Sequence, residues 1–474
     1  MSHLPSSPVY DEQKTMSETL SVLSQKSLLI IFTYAPAGLG HLRVTDALYH
    51  GLPAQTHPIL LRSQDASIGF LHHLTSIHPT TRAILEWLQS GKPEELFTRG
   101  YWWFLRSRTK SLSAQIGTVL DERMANPDTI LVVATHFGLA HQLAAIKTEL
   151  SRAREITIVL VLQVTDDSPQ RIWYVPGADL IVVPSERTKA ALMDYGKTAG
   201  LPPVRFAVLP YPVSLVLTSA LTDQEYEQRH QQFLADGSAD IEVAIPISGA
   251  AVGLTYFRRL IDELHQKSTR FHFHVIAKSS AYTNPFLQDM QSRSFVTLHT
   301  ATTDRKIVEK YEQVYQNTVV ALEVTKPSEQ AFKTLVDPHH RGGSVLLFSQ
   351  PIGRQEHDNL DFLARHQLLP TQDEQQRLWD SAINGSLIDS ETRPALHWRS
   401  MRLPDDPASA AHYIGWCLEK GLFARMLTYT FAYTFAPQPD DPHANEIEPD
   451  GVSKFWQTIS QLLTDQVQVV TRNV

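Results

Sequence analysis

The chain has 474 residues, with 42 Lys or Arg against 50 Asp or Glu, so its formal net charge is −8. This acidic balance argues against a general nucleic-acid binder, because a polyanionic backbone is held by a basic surface. Hydrophobic residues make up 42% of the chain, enough for the cores of two or three domains. The single cysteine, Cys417, excludes an intramolecular disulfide framework and any multi-cysteine metal centre.

The beginning of the chain carries no export signal. Residues 1–26 are polar and include acidic side chains, so we interpret them as a flexible N-terminal segment. The longest uncharged apolar run, 131–146, is shorter than the roughly 20 residues of a membrane span. We therefore expect a cytoplasmic protein whose membrane contact, if any, is peripheral and on the inner face of the membrane.

Two series of strands and helices follow one another along the chain. Continuous aliphatic runs alternate with helical patterns, which is typical of strands buried on both faces of a parallel sheet. The first four runs occupy 27–34, 129–136, 156–165 and 178–185. The alternation stops at a proline-rich segment near residue 220 and restarts at 241–248.

This organisation predicts an α/β protein with two tandem Rossmann-like domains. We assign 27–220 to the first domain, 221–370 to the second, and 371–474 to a mostly helical C-terminal extension. Ligands of such folds bind beyond the carboxyl ends of the strands, so we expect a cleft there, between the two sheets.

The first polar motif directly follows the first strand. Gly38 and Gly40 permit close approach of a ligand to the backbone, and His41 falls in the first turn of the next helix. The positive end of the helix dipole disfavours imidazolium, so a neutral His41 suits general-base work on an acceptor hydroxyl. The alternative is a helix-capping loop with an ordinary polar histidine.

A second motif ends the buried strand 156–165. Thr165, Asp166 and Asp167 lie at its carboxyl edge, where one carboxylate can orient or assist a base. The alternative is a pair of turn and N-cap carboxylates before Pro169.

A third motif is a small-residue loop between a strand and a helix in the second domain. Gly249 and Gly253 leave backbone N–H groups free at a helix N-terminus, which attracts a diphosphate. No Gly-Lys-Ser/Thr follows, so the loop is not a Walker motif. A tight turn without a ligand explains the same residues.

Two further strand–loop–helix segments carry hydroxyl, amide and carboxylate groups that are able to bind sugar hydroxyls. These candidates are Ser328, Glu329, Gln355, Glu356 and Asn359. Glu329 or Glu356 has the alternative role of capping its own helix.

Taken in order, these segments resemble glycosyltransferase family 28 and its relatives of the two-domain GT-B type. That group includes monogalactosyldiacylglycerol synthase and the lipid-linked N-acetylglucosaminyltransferase of peptidoglycan synthesis. The resemblance covers about residues 28–370, and the segments that carry it are AGLGHLRVTDAL, VTDDSPQRIWYVPGADLIVVPSERTKAALMDYG, FAVLPYPV, SGAAVGL, KPSEQA and IGRQEHDN.

The resemblance implies an inverting glycosyltransferase that moves a hexose from a nucleotide diphosphate sugar, expected to be a UDP-sugar, to a hydroxyl acceptor such as a lipid. It implies His41 as the base, assisted by Asp166, and no essential metal or cofactor beyond the nucleotide sugar. Donor binding is implied for Gly249, Gly253, Ser328, Glu329, Arg354, Gln355, Glu356 and Asn359.

The sequence departs from the family at two donor loops. Ala250 stands where the family has a second glycine, and Ser328 and Glu329 follow Pro327 in a shortened loop. These changes leave the sugar open and keep two alternatives, a sugar-nucleotide 2-epimerase and a non-catalytic nucleotide-sugar-binding protein. The Gly-Thr-Arg-Pro-Glu stretch of the epimerases is not present.

One segment of the first domain fits a membrane surface. Aromatic and basic side chains alternate there, and such a mixture settles at an anionic headgroup interface. The residues are Tyr101, Trp102, Trp103, Arg106 and Arg108. The alternative is an amphipathic helix whose aromatic side chains pack into the domain core.

Histidines elsewhere give no metal prediction. His272 and His274 alternate along one predicted strand, and we expect them to make local hydrogen bonds.

Overall fold

The computed structural model describes residues 20–34, 39–62, 91–122, 127–249, 251–385, 397–428 and 444–472. Gly38, Ala250 and most of the predicted N-terminal segment lie outside these residues.

The first domain is built on a six-stranded parallel sheet. Its central strands are continuous aliphatic runs, buried because helices cover both faces. The strand order is β2-β1-β3-β4-β5-β6. The strands are β1 Leu28–Tyr34, β2 Ile59–Arg62, β3 Thr129–Ala134, β4 Thr157–Gln163, β5 Leu180–Val183 and β6 Phe206–Val208.

Helices alternate with these strands along the chain. Ser185 caps the last of them by accepting a hydrogen bond from the backbone N–H of Thr188. The helices are α1 Leu39–His50, α2 Gly91–Ser107, α3 Lys110–Asp121, α4 Phe137–Arg154 and α5 Glu186–Thr198, with short 3-10 helices at Ser21–Ser24 and Arg171–Trp173.

The second domain repeats the plan with six parallel strands in the order β12-β11-β10-β7-β8-β9. The strands are β7 Ile241–Pro246, β8 Phe271–Lys278, β9 Val296–Ala301, β10 Leu322–Thr325, β11 Val345–Phe348 and β12 Ser400–Arg402. Its helices are α6 Asp223–Gln231, α7 Leu254–Lys267, α8 Asn284–Gln291, α9 Asp304–Asn317, α10 Arg354–Arg365, α11 Gln372–Asn384, α12 Pro407–Glu419 and α13 Leu422–Leu427, and a 3-10 helix spans Glu329–Leu335. The prediction of two tandem Rossmann-like domains is confirmed.

Residues beyond 370 are mostly helical, and they divide between the two domains. β12 pairs with β11, and Cys417 of α12 is buried in the second core, so the second sheet extends past 370. The last helix, α14 Gly451–Arg472, packs on the first domain. There Trp456 donates from Nε1 to the carbonyl oxygen of Leu48 at 2.9 Å.

The two domains share a continuous apolar contact. The ring of Tyr211, in the connection between them, stacks on Phe332 of the second domain with centroids 3.9 Å apart. Apolar side chains of α1 and α9 belong to the same core cluster. Among the described helices, none combines the length and the apolar composition needed to cross a bilayer.

Candidate functional site

His41 lies in the first turn of α1, as predicted, and its ring reaches the end of β3. Nδ1 is 2.7 Å from the carbonyl oxygen of Thr135, the residue that follows β3. A carbonyl oxygen only accepts, so Nδ1 carries a hydrogen in this contact. Nε2 is then the basic nitrogen, the tautomer that a general base requires.

Thr165 lies between His41 and Asp166. Its Oγ1 is 3.3 Å from His41 Nδ1 and 3.4 Å from Oδ2 of Asp166. The two predicted catalytic side chains therefore come together through one hydroxyl group, at the carboxyl ends of β1 and β4.

Asp166 is buried at the contact between the domains. Desolvation is the main cause that raises the pKa of Asp166 to about 7, and repulsion from Glu329 raises it further. Hydrogen bonds from Asn359 and Thr165 oppose this shift, while Glu356 adds to it. The carboxyl of Asp166 therefore exchanges its proton near neutral pH.

Asp167 has a different environment from its neighbour. Its carboxylate accepts hydrogen bonds from the hydroxyls of Ser185 and Thr188, the latter at 2.8 Å. Its second oxygen accepts from Nη2 of Arg365 in the second domain at 2.7 Å. Asp167 thus holds the start of α5 and links the domains, a role that differs from the predicted turn or N-cap carboxylate.

Glu329 comes from the second domain and meets the first at α1. It begins the 3-10 helix after β10, and its carboxylate forms an ion pair with Arg43. A Cβ on Gly40 would lie 2.8 Å from Glu329 Cδ. The predicted acceptor loop and a predicted donor residue are therefore in direct contact.

Glu356 lies in the first turn of α10. Its Oε2 accepts from the backbone N–H of Ile352 and lies 3.4 Å from Nζ of Lys326. Burial raises the pKa of Glu356, and the Lys326 ammonium opposes the shift. The bond to Ile352 holds the loop that precedes α10 against the first turn of this helix.

Asn359 connects the two domains with its side-chain amide. Oδ1 accepts from the backbone N–H of Asp167 at 2.9 Å. Nδ2 donates to the carbonyl of Pro327 at 3.2 Å and lies 3.5 Å from Oδ1 of Asp166. Both ends of this amide already form hydrogen bonds within the protein, so a hydrogen bond from Asn359 to a sugar would compete with them.

The other predicted donor residues of α10 also face the first domain. Gln355 donates from Nε2 to Oε1 of Gln170 at 3.3 Å. Arg354 lies 3.5 Å from carboxylate oxygens of both Glu94 and Asp358. Ser328 precedes the 3-10 helix and makes no side-chain cap.

The loop after β7, predicted to bind a diphosphate, leads into α7. Gly253 has φ of 83° and precedes α7 without a side-chain cap, so the first N–H groups of α7 are not covered by its own cap. Ala251 has φ of 54°, a left-handed conformation that costs an alanine on the order of 1 kcal/mol. The hydroxyl of Ser248 is buried and has no partner among the described residues. β7 lies beside β10, so this loop and Glu329 share one edge of the sheet.

Two residues of the site were not predicted, Arg43 and Thr135. Arg43 is two residues after His41, and its guanidinium lies 5.1 Å from the ring centre of Tyr311. Arg43, Tyr211, Tyr311 and Lys333 line a pocket between the two domains. The sequence offered one signal for Arg43, its position two residues after His41 in the first turns of α1.

The predicted membrane segment lies on α2 and the residue that follows it. Trp103 is 76% exposed, whereas Trp102 is buried. The other three side chains make contacts within the domain: Arg106 donates to the carbonyl of Pro176 at 2.9 Å, Tyr101 stacks on Phe104, and Arg108 lies over the same ring. Trp102 and Arg106 therefore pack against their own domain, as in the alternative of an amphipathic helix, whereas Trp103 faces solvent.

No protein-family model matches the chain, and no curated protein matches it. Solved structures with a similar arrangement include a UDP-GlcNAc 2-epimerase from Neisseria meningitidis bound to UDP-GlcNAc, at 11% identity and TM-score 0.45, covering 92% of this chain and 99% of that one. Arabidopsis thaliana UGT89C1 with UDP-L-rhamnose has 12% identity and TM-score 0.43, covering 92% and 98%. A UDP-glucosyltransferase from Polygonum tinctorium has 10% identity and TM-score 0.41, covering 92% and 98%. Similarity at this distance assigns the chain to none of these enzyme classes.

Proposed function

We propose that the chain is a GT-B-type glycosyltransferase that moves a hexose, with inversion, from a UDP-sugar to a hydroxyl acceptor. The observation that carries this proposal is the tautomer of His41. Its Nδ1 lies 2.7 Å from the Thr135 carbonyl, so Nε2 is the nitrogen that can take a proton, and Thr165 Oγ1 joins this ring to the carboxyl of Asp166.

In the proposed reaction, Nε2 of His41 takes the proton of the acceptor hydroxyl as its oxygen attacks the anomeric carbon. The bond between that carbon and the diphosphate oxygen breaks, and the diphosphate carries the electron pair away. The carbonyl of Thr135 then stabilises the imidazolium by accepting from Nδ1–H.

The leaving diphosphate is expected at the N-terminus of α7. Backbone N–H groups and the helix dipole favour negative charge there, and the buried Ser248 hydroxyl supplies another donor. Donor contacts by Glu329, Gln355 and Glu356, and assistance from Asp166, belong to the same proposal.

The acceptor is proposed to be a lipid hydroxyl. The exposed indole of Trp103 on α2 supports this choice, because amphipathic aromatic rings settle at the membrane interface. A peripheral membrane contact through α2 follows from the same argument.

Direct binding and product analysis test the function. Calorimetry with UDP, and then with UDP-glucose, UDP-galactose and UDP-GlcNAc, is expected to show binding that ADP does not reproduce. With diacylglycerol vesicles as acceptor, we expect a glycolipid and free UDP, detected by mass spectrometry.

His41→Ala is expected to lower transfer by about 100-fold or more while UDP affinity changes little, because general-base catalysis contributes 10²–10⁴-fold. His50→Ala is the matched control, since His50 ends the same helix and is exposed. Retained turnover in His41→Ala would remove the base assignment. A new sugar nucleotide without acceptor would instead identify an epimerase, and binding without any product would identify a binding protein.

A further inference from the structure

A polar cluster lies at the amino-terminal edge of the second sheet, opposite the cleft. Glu242 is the second residue of β7, and the parallel register pairs it with His272 of β8. Side chains alternate along a strand, so His274 lies on the same face as His272. Ser248 is six positions after Glu242, so the cluster is about 20 Å along the strand from the proposed diphosphate loop.

Three metal-ligating atoms of this cluster converge. Oε2 of Glu242 is 3.0 Å from Nδ1 of His272 and 2.8 Å from Nε2 of His274. All three atoms lie within 4.8 Å of one another, and no other such group occurs in the part of the chain that the structure describes. Tetrahedral zinc with bonds of about 2.0–2.1 Å separates its ligand atoms by about 3.3 Å, so the two distances from the carboxylate to the imidazole nitrogens need to grow by only a few tenths of an ångström.

The outer nitrogens of both rings already have partners on β9. Nε2 of His272 is 3.0 Å from Oγ1 of Thr297, and Nδ1 of His274 is 3.0 Å from Nε2 of His299. Zinc-bound histidines donate their other N–H to such a group, which fixes the ring orientation. Thr297 and His299 are both able to accept that hydrogen.

The cluster is also accessible and correctly charged. The side chains of Glu242 and His272 are 20% and 32% exposed, so water can occupy a fourth coordination position. One carboxylate with two neutral imidazoles is a ligand set that suits a divalent first-row transition ion.

We propose that Glu242, His272 and His274 form a zinc site that ties β7 to β8, remote from the cleft between the domains. The predicted local hydrogen bonds of the two histidines are present, and they hold the ligand atoms together in the metal-free chain. The site is independent of the proposed glycosyl transfer.

Metal titration of the full, tag-free chain tests the site. After treatment with EDTA and buffer exchange, we expect one Co²⁺ per chain with the intense visible bands of four-coordinate cobalt, displaced by Zn²⁺. We also expect Zn²⁺ to raise the melting temperature, because a ligand that binds only the folded state stabilises it.

Glu242→Gln and His274→Ala are expected to abolish the cobalt bands and the Zn²⁺-dependent rise in melting temperature. Loss of an outer partner in His299→Ala is expected to weaken Zn²⁺ binding by about 10–100-fold. His339→Ala is the matched control, because His339 pairs with one carboxylate, Asp337, at 2.8 Å elsewhere in the domain. A wild-type chain without stoichiometric binding, or Glu242→Gln binding Zn²⁺ as tightly as wild type, would overturn the proposal.

Discussion

Glu329 of the second domain lies directly against Gly40 of the first. Its carboxylate reaches over the start of α1 to Arg43, and it occupies the space that a side chain on residue 40 would need. The absence of a Cβ at Gly40 is therefore what lets the domains meet beside His41.

Gly40→Ala is expected to lower the free energy of unfolding by about 1–3 kcal/mol, because the new Cβ would push Glu329 away from Arg43. Urea denaturation measures this change. Gly100→Ala is the control, since its added Cβ meets no atom of the described residues within 4 Å apart from its own helical backbone, and alanine favours a helix interior by about 0.5–1 kcal/mol. Equal stability of the two variants would show that Glu329 moves aside without cost.

Asp166→Asn is expected to change how stability depends on pH. The folded carboxyl has a pKa of about 7 against an ordinary value of 3.8, so between these values the folded state binds more protons than the unfolded state. The free energy of unfolding due to Asp166 therefore falls as pH rises, and it levels off above pH 7.

Asparagine does not titrate, so the variant lacks the fall in the free energy of unfolding that Asp166 causes as pH rises. Relative to wild type, Asp166→Asn is expected to gain about 2–3 kcal/mol between pH of about 5 and about 8. Urea denaturation at the two pH values measures the gain. Parallel pH profiles for the two proteins would contradict the raised pKa of Asp166.

Lys333→Met is expected to destabilise the second domain strongly. Lys333 and Glu323 are 3% and 0% exposed, and their charged groups are 2.6 Å apart. Removal of the ammonium leaves a buried carboxylate without its cation, at a cost of about 3–5 kcal/mol. The double variant Lys333→Met with Glu323→Leu is expected to cost less than the sum of the single variants.

An exposed ion pair supplies the comparison for this prediction. Arg154 and Asp121 are 33% and 63% exposed, so Arg154→Met is expected to cost at most about 1 kcal/mol. Chemical denaturation of the wild type, Lys333→Met, Glu323→Leu and the double variant gives the coupling energy between Lys333 and Glu323. Additive costs for Lys333 and Glu323 would mean that the two groups act independently.

Arg365→Met is expected to weaken the contact between the domains by about 3 kcal/mol, because Asp167 is fully buried and loses the cation from across the interface. Small-angle scattering is expected to show a larger radius of gyration for the variant. Arg365→Lys keeps the charge and should restore part of the contact. An unchanged radius of gyration and an unchanged free energy of unfolding would show that other contacts hold the two domains together.

The strands that the sequence predicts are those with long aliphatic runs in the interior of the sheets. The short strands β2, β6 and β12 have no counterpart among the predicted runs, and each has three or four residues and lies at a sheet edge. An edge strand pairs on one side and buries less apolar surface, so its periodicity is too short to detect.

The candidate site shows the same limit at the level of single residues. The place of His41 in the first turn of α1 follows from local signals, but its Thr135 partner is 94 residues away in the sequence. Asp166 and Asp167 are adjacent and equivalent in the sequence. The ion pair with Arg365 distinguishes Asp167 from Asp166. Arg365 is 198 residues away in the sequence, so no local pattern encodes that contact.

The placement of α14 affects how the two halves are able to move. The polypeptide passes from the first domain to the second near Tyr211, and it passes back before α14, whose Trp456 is anchored to Leu48. The two domains are therefore joined by two separate stretches of the chain. One proteolytic cut near Tyr211 would therefore leave the halves still tethered.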